Sequence, residues 1–232
     1  MKVLIDGDIL TYRAAFSCEG QPLEDATDKI DELVEEILEA VVFNYDPWSN
    51  DNYEMFITGK GNFRFDVQPT YKGNRSGKPK PEHLQDLREY LEKAYSANVS
   101  SDQEADDDIT IRATEIGPDA VIASIDKDFL QVPCWHYNLN KKTLVQVSEF
   151  EGLVFFYTQI LTGDRADNIF GLKGTGPVKA SKVLDGAKTE RELYDRCVAA
   201  YNGDTAKVLE NGKLLWLLRK EGQVWSPPSV AS

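Results

Sequence analysis

The chain has 232 residues, 41% of them hydrophobic, enough to bury a substantial core as one α/β domain or as one domain with a helical appendage. No stretch approaches the roughly 18 consecutive apolar residues of a membrane helix, so a soluble protein without a membrane partner is expected. A formal net charge of −13 weighs against a nucleic-acid partner, since phosphate binding rests on Lys and Arg, yet the charges are unevenly placed. Acid concentrates between Glu19 and Glu39, whereas Lys60, Arg64, Lys72, Arg75, Lys78 and Lys80 share a segment in which Asp66 is the only opposing charge. Cys18, Cys134 and Cys197 are odd in number and widely spaced, which suits a reducing, cytoplasmic setting. His83 and His136 stand in no Cys/His cluster, so a bound metal must be held by oxygen.

In chain order, Val3-Leu4-Ile5 is a short apolar strand that stops at the polar turn Asp6-Gly7-Asp8, and acid so early reads as a core strand and not a secretion signal. From Thr27 onward Ile30, Leu33, Val34, Ile37, Leu38 and Val41 recur at helical spacing, with the acidic face left to solvent. Tyr53 to Thr58 predicts a second strand. Thr70 to Pro81, with Gly73, Ser76, Gly77 and Pro79 among its basic residues, predicts a loop. His83 to Tyr95 returns to helical spacing through Leu84, Leu87 and Leu91, followed by an extended piece around Val99 and a third helix starting near Ser101. Ala120 to Ile125 is another strand, Trp135 to Tyr137 and Leu144 to Val147 add strand structure, and the chain beyond Phe150 reads as helical. Strands alternating with helices imply an α/β fold with a mainly parallel central sheet, whose ligands bind at the carboxyl ends of the strands, where Asp6 and Asp126 lie. The expected division is residues 1–150 as the core, including a basic arch-like loop at 60–81, and residues 151–232 as a helical part with a glycine-rich hairpin at 168–184.

Four acidic clusters stand out. In Ser101-Asp102-Gln103-Glu104-Ala105-Asp106-Asp107-Asp108, Ser101 and Glu104 fit a capping box, but Glu104, Asp107 and Asp108 would crowd one helix face and repel without a cation. In Ser124-Ile125-Asp126-Lys127-Asp128 a helix cap accounts for one aspartate and not for both. Taken alone, Asp164 and Asp167 read as a solvated i, i+3 pair on a helix, and Asp6 with Asp8 as a strand-end turn. Four such clusters at strand ends and helix starts favour an oxygen-lined pocket for magnesium, in which two ions about 4 Å apart assist an in-line phosphoryl displacement.

Asn168 to Lys182 follows the third cluster directly. Gly171, Gly174 and Gly176 permit a tight turn, Pro177 suits the first position of the next helix, and Lys173, Lys179 and Lys182 add positive charge. This is a helix-hairpin-helix pattern, in which Lys173, Gly174, Gly176, Lys179 and Lys182 contact a DNA backbone. In the basic loop, Tyr71-Lys72-Gly73-Asn74-Arg75 is either a solvated linker or a substrate gate. In the second case Lys72 and Arg75 neutralise the scissile phosphate and Tyr71 stacks on an unpaired base.

Asp6-Gly7-Asp8, Tyr71 to Arg75, Glu104-Ala105-Asp106-Asp107, Asp126-Lys127-Asp128 and Gly163 to Gly176, in this order, resemble the 5′-nuclease superfamily of flap endonucleases, polymerase-associated 5′ nucleases and phage 5′→3′ exonucleases. Asp6-Gly7-Asp8 paired with Ser124 to Phe129, and a tail of Trp225-Ser226-Pro227, look most similar to the exonucleases of short-tailed phages. The resemblance covers about residues 1–185 and implies a PIN-like core that hydrolyses DNA 5′→3′ with two Mg2+ ions, or Mn2+ in their place, and metal-bound water as nucleophile. It implies that Asp6, Glu104, Asp106 and Asp107 serve the first metal, that Asp126, Asp128, Asp164 and Asp167 serve or shape the second, and that Lys72 and Arg75 are the catalytic basic pair of the arch. It further implies K+ held by backbone carbonyls of the hairpin, and as substrates double-stranded DNA with 5′ ends, nicks or flaps, together with RNA in RNA–DNA hybrids. Two departures are visible: Ile57-Thr58-Gly59-Lys60 stands where the family carries another aspartate, and the arch is short. The alternatives are a structure-specific flap endonuclease and, from another class, a non-catalytic DNA-binding module.

Overall fold

The computed structural model describes residues 1–42, 52–75 and 77–229, so Ser76 of the basic loop lies outside the described residues. In chain order the elements are β1 (Lys2–Asp6), α1 (Gly7–Ser17), α2 (Leu23–Val41), β2 (Tyr53–Lys60), α3 (Arg64–Val67), α4 (Leu84–Ala94), β3 (Asn98–Ser101), α5 (Ala105–Ile116), β4 (Ala120–Ser124), β5 (Trp135–Asn138) and β6 (Thr143–Gln146). There follow α6 (Glu149–Thr162), β7 (Gly163–Asp164), β8 (Ile169–Phe170), α7 (Pro177–Leu184), α8 (Glu190–Ala200) and α9 (Thr205–Leu215). They fall into two compact units, Met1–Asn62 with Pro79–Val147, and Phe63–Lys78 with Ser148–Ser232. Among the described residues no helix is long and apolar enough to cross a membrane.

The first unit is built on a six-stranded sheet of order β3-β2-β1-β4-β5-β6, parallel except for the antiparallel β6. Its middle strands β1 and β4 are buried from Val3 to Asp6 and from Ala120 to Ser124, as strands covered on both faces must be. Helix α2 turns Ala26, Ile30, Leu33, Val34, Ile37, Leu38 and Val41 inward, as the spacing predicts, but starts at Leu23 because Ala26 extends the buried stripe by a turn. Strand order reverses direction between β1 and β4, and the carboxyl ends of these two strands form the crevice where such sheets bind ligands.

Two elements of this unit differ from the sequence reading. Asp6-Gly7-Asp8 is not a simple turn: Asp6 is the N-cap of α1, its carboxylate accepting the Ile9 N–H at 3.2 Å. The buried face of α1 is Leu10, Thr11, Ala14 and Ala15, too small and polar to show as an apolar stripe. The third helix starts at Ala105 and not near Ser101, because Ser101 pairs with Lys60 in the β2–β3 ladder and Asp102 takes a left-handed backbone, donating its N–H to the Lys60 carbonyl at 2.8 Å. The capping box is therefore Glu104 with Asp107.

The second unit has its own core, in which Phe156, Tyr157 and Ile160 of α6 meet Leu193 and Cys197 of α8, Leu214 of α9 and Trp225. The Phe156 ring meets those of Trp216 and Trp225 edge-on, at centroid distances of 4.9 and 5.5 Å. The basic segment 63–78 belongs to this unit, not to the α/β core as expected. Arg64 explains why: it is 1% exposed, donates to the carbonyls of Leu214 (2.9 Å) and Trp216 (2.8 Å), and lies over the Phe63 ring. This arginine is a buried clasp and not a DNA-facing cation. The uniformly helical reading beyond Phe150 is interrupted by the antiparallel ribbon of β7 and β8.

Candidate nuclease site

The carboxyl edge of the first unit's sheet gathers most of the predicted acids. Asp6 ends β1, Asp126 and Asp128 follow β4, and Glu104, Asp106 and Asp107 open α5, which packs on β1, β2 and β4. Gly7 lets α1 leave the sheet at once: a Cβ there would lie 2.7 Å from both Ile57 Cγ2 and the Phe56 carbonyl. Register brings Asp6 level with Phe56 on β2, and Ile5 level with Ala123 on β4, so Ser124 stands beside Asp6. The Ser124 hydroxyl donates to Asp6 Oδ2 at 2.7 Å and accepts the Asp126 N–H at 3.0 Å, joining two of the acidic clusters through one atom. Asp126 Oδ1 in turn accepts the Asp128 N–H at 2.8 Å.

Burial sets the electrostatics. Asp6 is 2% exposed, and desolvation pushes its carboxyl from 3.8 up to about 7, against the Ser124 and Ile9 hydrogen bonds and with help from the charges of Asp8 and Asp126. Asp107 is fully buried and its Oδ2 accepts the Glu104 N–H at 3.3 Å. Among the described residues, no group of three His, Cys, Asp or Glu side chains stands close enough together to hold an ion. The donor set nevertheless fits a hard divalent cation: it is all oxygen, and a buried carboxyl pushed to about 7 between two further acids is stabilised in its ionised form by positive charge.

Three residues that sequence reasoning passed over complete this edge. One is Ser124. The other two are Thr58 and Arg88: the Thr58 N–H donates to Asp8 Oδ2 at 2.9 Å, its hydroxyl accepts the Ala105 N–H at 3.0 Å, and the Arg88 guanidinium bonds both the Asp8 carboxylate and the Thr58 carbonyl. The absence of an aspartate at Thr58 was a visible signal, but nothing in the sequence marks Arg88.

In the second unit Asp167 is a hub for the basic segment. It accepts from the Tyr71 hydroxyl at 3.1 Å, lies 3.7 Å from Lys72 Nζ and pairs with Arg75, while its carbonyl accepts the Lys72 N–H at 2.9 Å. Asn74 adds a bond to the Arg165 carbonyl at 2.8 Å, and Asp164 accepts the Ala166 N–H at 2.7 Å in a tight turn. Asp164 is thus the last residue of β7, paired with Ile169, and Asp167 a hub in the turn to β8, and the two are not an i, i+3 helical pair. Tyr71 is 3% exposed with its ring edge-on to Phe65 at 5.9 Å, so the expected stacking on a base is not available to it here. In the hairpin, Pro177 opens α7 as predicted, Gly174 takes a left-handed φ of 72°, and Lys173, Gly174, Gly176, Lys179 and Lys182 are all exposed.

Residues 1–153 match the family model described as the 5′-3′ exonuclease N-terminal, resolvase-like domain. The chain belongs to the 5′-3′ exonuclease family. The flap endonuclease Xni of Shewanella piezotolerans is 33% identical over 161 residues, covering 62% of this chain and 62% of that protein. DNA polymerase I of Deinococcus radiodurans is 26% identical over 226 residues, 90% of this chain but 23% of the polymerase. The chain therefore spans under two thirds of the length of these curated relatives. Among solved structures, the bacteriophage T5 flap endonuclease, in a complex with DNA and metal ions, superposes with a TM-score of 0.71 at 16% identity over 94% of this chain and 88% of that one. The same phage's 5′-exonuclease with bound zinc gives 0.69 at 17%, over 92% of this chain and 88% of that one. The 5′-nuclease resemblance and the mainly parallel, helix-flanked sheet are both borne out.

Proposed function

We propose that this chain is a divalent-metal-dependent nuclease that hydrolyses DNA phosphodiesters 5′→3′ from 5′ ends at nicked, blunt or flapped duplexes. The observation that carries the reading is the Asp6–Ser124–Asp126 link at the switch point of a 5′-3′ exonuclease-family sheet, with Asp107 buried at the start of α5. Asp6, Glu104, Asp106 and Asp107 are proposed for one Mg2+, and Asp126 and Asp128 for a second, with Mn2+ able to substitute. When bound, such ions activate water and neutralise charge on the scissile phosphate. The protein's own share is to keep Asp6 desolvated and aligned through the Ser124 hydroxyl, and to hold the acidic start of α5 against the sheet. No side-chain nucleophile is required.

Lys72 and Arg75 are proposed as phosphate-neutralising cations, pre-oriented by Asp167 until a phosphate competes for them. The hairpin lysines with Gly174 and Gly176 are proposed to grip the duplex backbone without reading sequence. K+ at this hairpin is part of the proposal, supported by Thr175 Oγ1, a buried hydroxyl oxygen with no hydrogen-bond partner. Cys18, Cys134 and Cys197 form no disulfide among the described residues, in keeping with the proposed cytoplasmic setting.

Digestion of 5′- and 3′-labelled duplex, nicked, flapped and RNA–DNA hybrid substrates, with Mg2+ or EDTA, tests the reading. Short 5′ products that require Mg2+ and vanish in Asp126→Asn are expected; release of an intact flap would identify the flap endonuclease reading that the Shewanella relatives favour. Wild type and Asp126→Asn leaving every substrate equally intact would sink it, and DNA binding without cleavage would identify a binding module.

A further inference from the structure

Arg88 points into the acidic edge from α4 and is the cation there whose partners are both fixed. Its guanidinium spans the Asp8 carboxylate and the Thr58 carbonyl, and the second Asp8 oxygen takes the Thr58 N–H at 2.9 Å, so both oxygens of Asp8 are engaged. Thr58 closes the arrangement by accepting the Ala105 N–H at 3.0 Å, which ties the end of β2 to the start of α5. The Arg88 side chain is 20% exposed and that of Asp8 23%, so the pair is only partly screened by water. Asp8 is two residues from Asp6, and its charge reaches that carboxyl.

We propose that Arg88 is a positioning residue that withholds Asp8 from the divalent ion. By holding both Asp8 and the end of β2, it keeps the ions among Asp6, Asp107 and Asp126 and sets their affinity below what the acidic edge would otherwise give. An aspartate with both oxygens occupied is a poor ligand, and a guanidinium alongside opposes a second cation. Because Thr58 accepts from Ala105, the same clamp fixes where the carboxylates of α5 stand relative to Asp6. This inference rests on the divalent-metal reading above.

The test is Mn2+ titration of the DNA-free protein, read by electron paramagnetic resonance, for wild type, Arg88→Met, Asp8→Asn, the double variant and Asp126→Asn, with circular dichroism to confirm folding. Removing a like charge beside the carboxylates that would hold the ion predicts at least tenfold tighter Mn2+ binding in Arg88→Met. Asp8→Asn, which leaves the guanidinium unopposed, predicts at least tenfold weaker binding by the same reasoning, and the double variant should return to within about twofold of wild type. A folded Arg88→Met that binds Mn2+ no more tightly than wild type overturns the inference and leaves Arg88 a structural strut. Should Arg88→Met not fold, Asp8→Asn decides, and unchanged affinity there overturns it equally. If Asp126→Asn binds Mn2+ as wild type does, the metal reading itself fails; if it binds more weakly while the Arg88 cycle is flat, only this inference does.

Discussion

Replacing Asp6 by Asn should make the metal-free protein more stable at alkaline pH and flatten its pH dependence. Asp6 is buried and its carboxyl is raised from 3.8 to about 7, so the folded protein holds a proton there that the unfolded chain releases near pH 4. A group raised in this sense contributes stability that is complete below its unfolded pKa and is lost as pH rises through the folded value. At 1.36 kcal/mol per unit, the part of that loss falling between pH 5 and 8 is about 3 kcal/mol. For a chain of this size it corresponds to roughly 5–10 °C in thermal midpoint. Asn carries no charge and can donate its amide to Ser124 Oγ, so the variant keeps the link to β4 while losing the titration.

The measurement is thermal denaturation of wild type and Asp6→Asn in EDTA from pH 5 to 8.5. Other titrating groups are common to both proteins and cancel in the difference. The two curves should lie nearest each other at pH 5 and separate towards pH 8 with the variant above. Excess Mg2+ should reverse the order at pH 8, because the ionised carboxylate then has a cation to meet. Parallel curves in EDTA, within about 1 kcal/mol across the range, would refute the burial argument for Asp6 and with it the electrostatic case for a cation at this edge.

Ser124→Ala removes the donor that lowers the Asp6 carboxyl and leaves the Asp126 N–H unpartnered, so we expect a loss of about 1–3 kcal/mol in urea denaturation. The pH transition of Asp6 should also move further up, visible as a displaced midpoint in the EDTA profile. Gly7→Ala forces a Cβ to within 2.7 Å of Ile57 and the Phe56 carbonyl, and should destabilise by about 1–3 kcal/mol while weakening Mn2+ binding, because α1 must shift with Asp6 at its cap. Tyr71→Phe and Lys72→Ala separate structure from phosphate contact. The first should cost about 1 kcal/mol of stability and leave cleavage near wild type, whereas the second should leave stability within about 0.5 kcal/mol and lower cleavage with an altered salt dependence.

What was legible in the sequence follows from how far apart the interacting residues are. β1, β4, α2 and α4 announce themselves through local apolar pattern, since one buried face of one element suffices to write it. Helix α1 hides because its buried face is Leu10, Thr11, Ala14 and Ala15, while Phe16 is 63% exposed, an arrangement that erases the amphipathic signal. The start of α5 was misplaced by one turn because Ser101 satisfies the local rules for a cap, yet its backbone is already taken by β2. Arg64 reads as one more cation in a basic loop until its two acceptors, about 150 positions away, are seen.

The same distance explains why the acids were found but not how they are joined. Clusters at strand ends identify an edge, whereas the Ser124 bond to Asp6 crosses 118 positions and depends on the register of β1 against β4. Arg88 lies further from any local rule, for it reaches Asp8 across 80 positions and Thr58 across 30. A parallel sheet brings such remote strand ends side by side, so that one hydroxyl, one threonine and one arginine can govern a set of carboxylates spread along the chain. On the proposed reading, carboxylate composition sets what kind of ion this edge takes, and the uncharged or cationic residues that the sheet places among them set how tightly it is held.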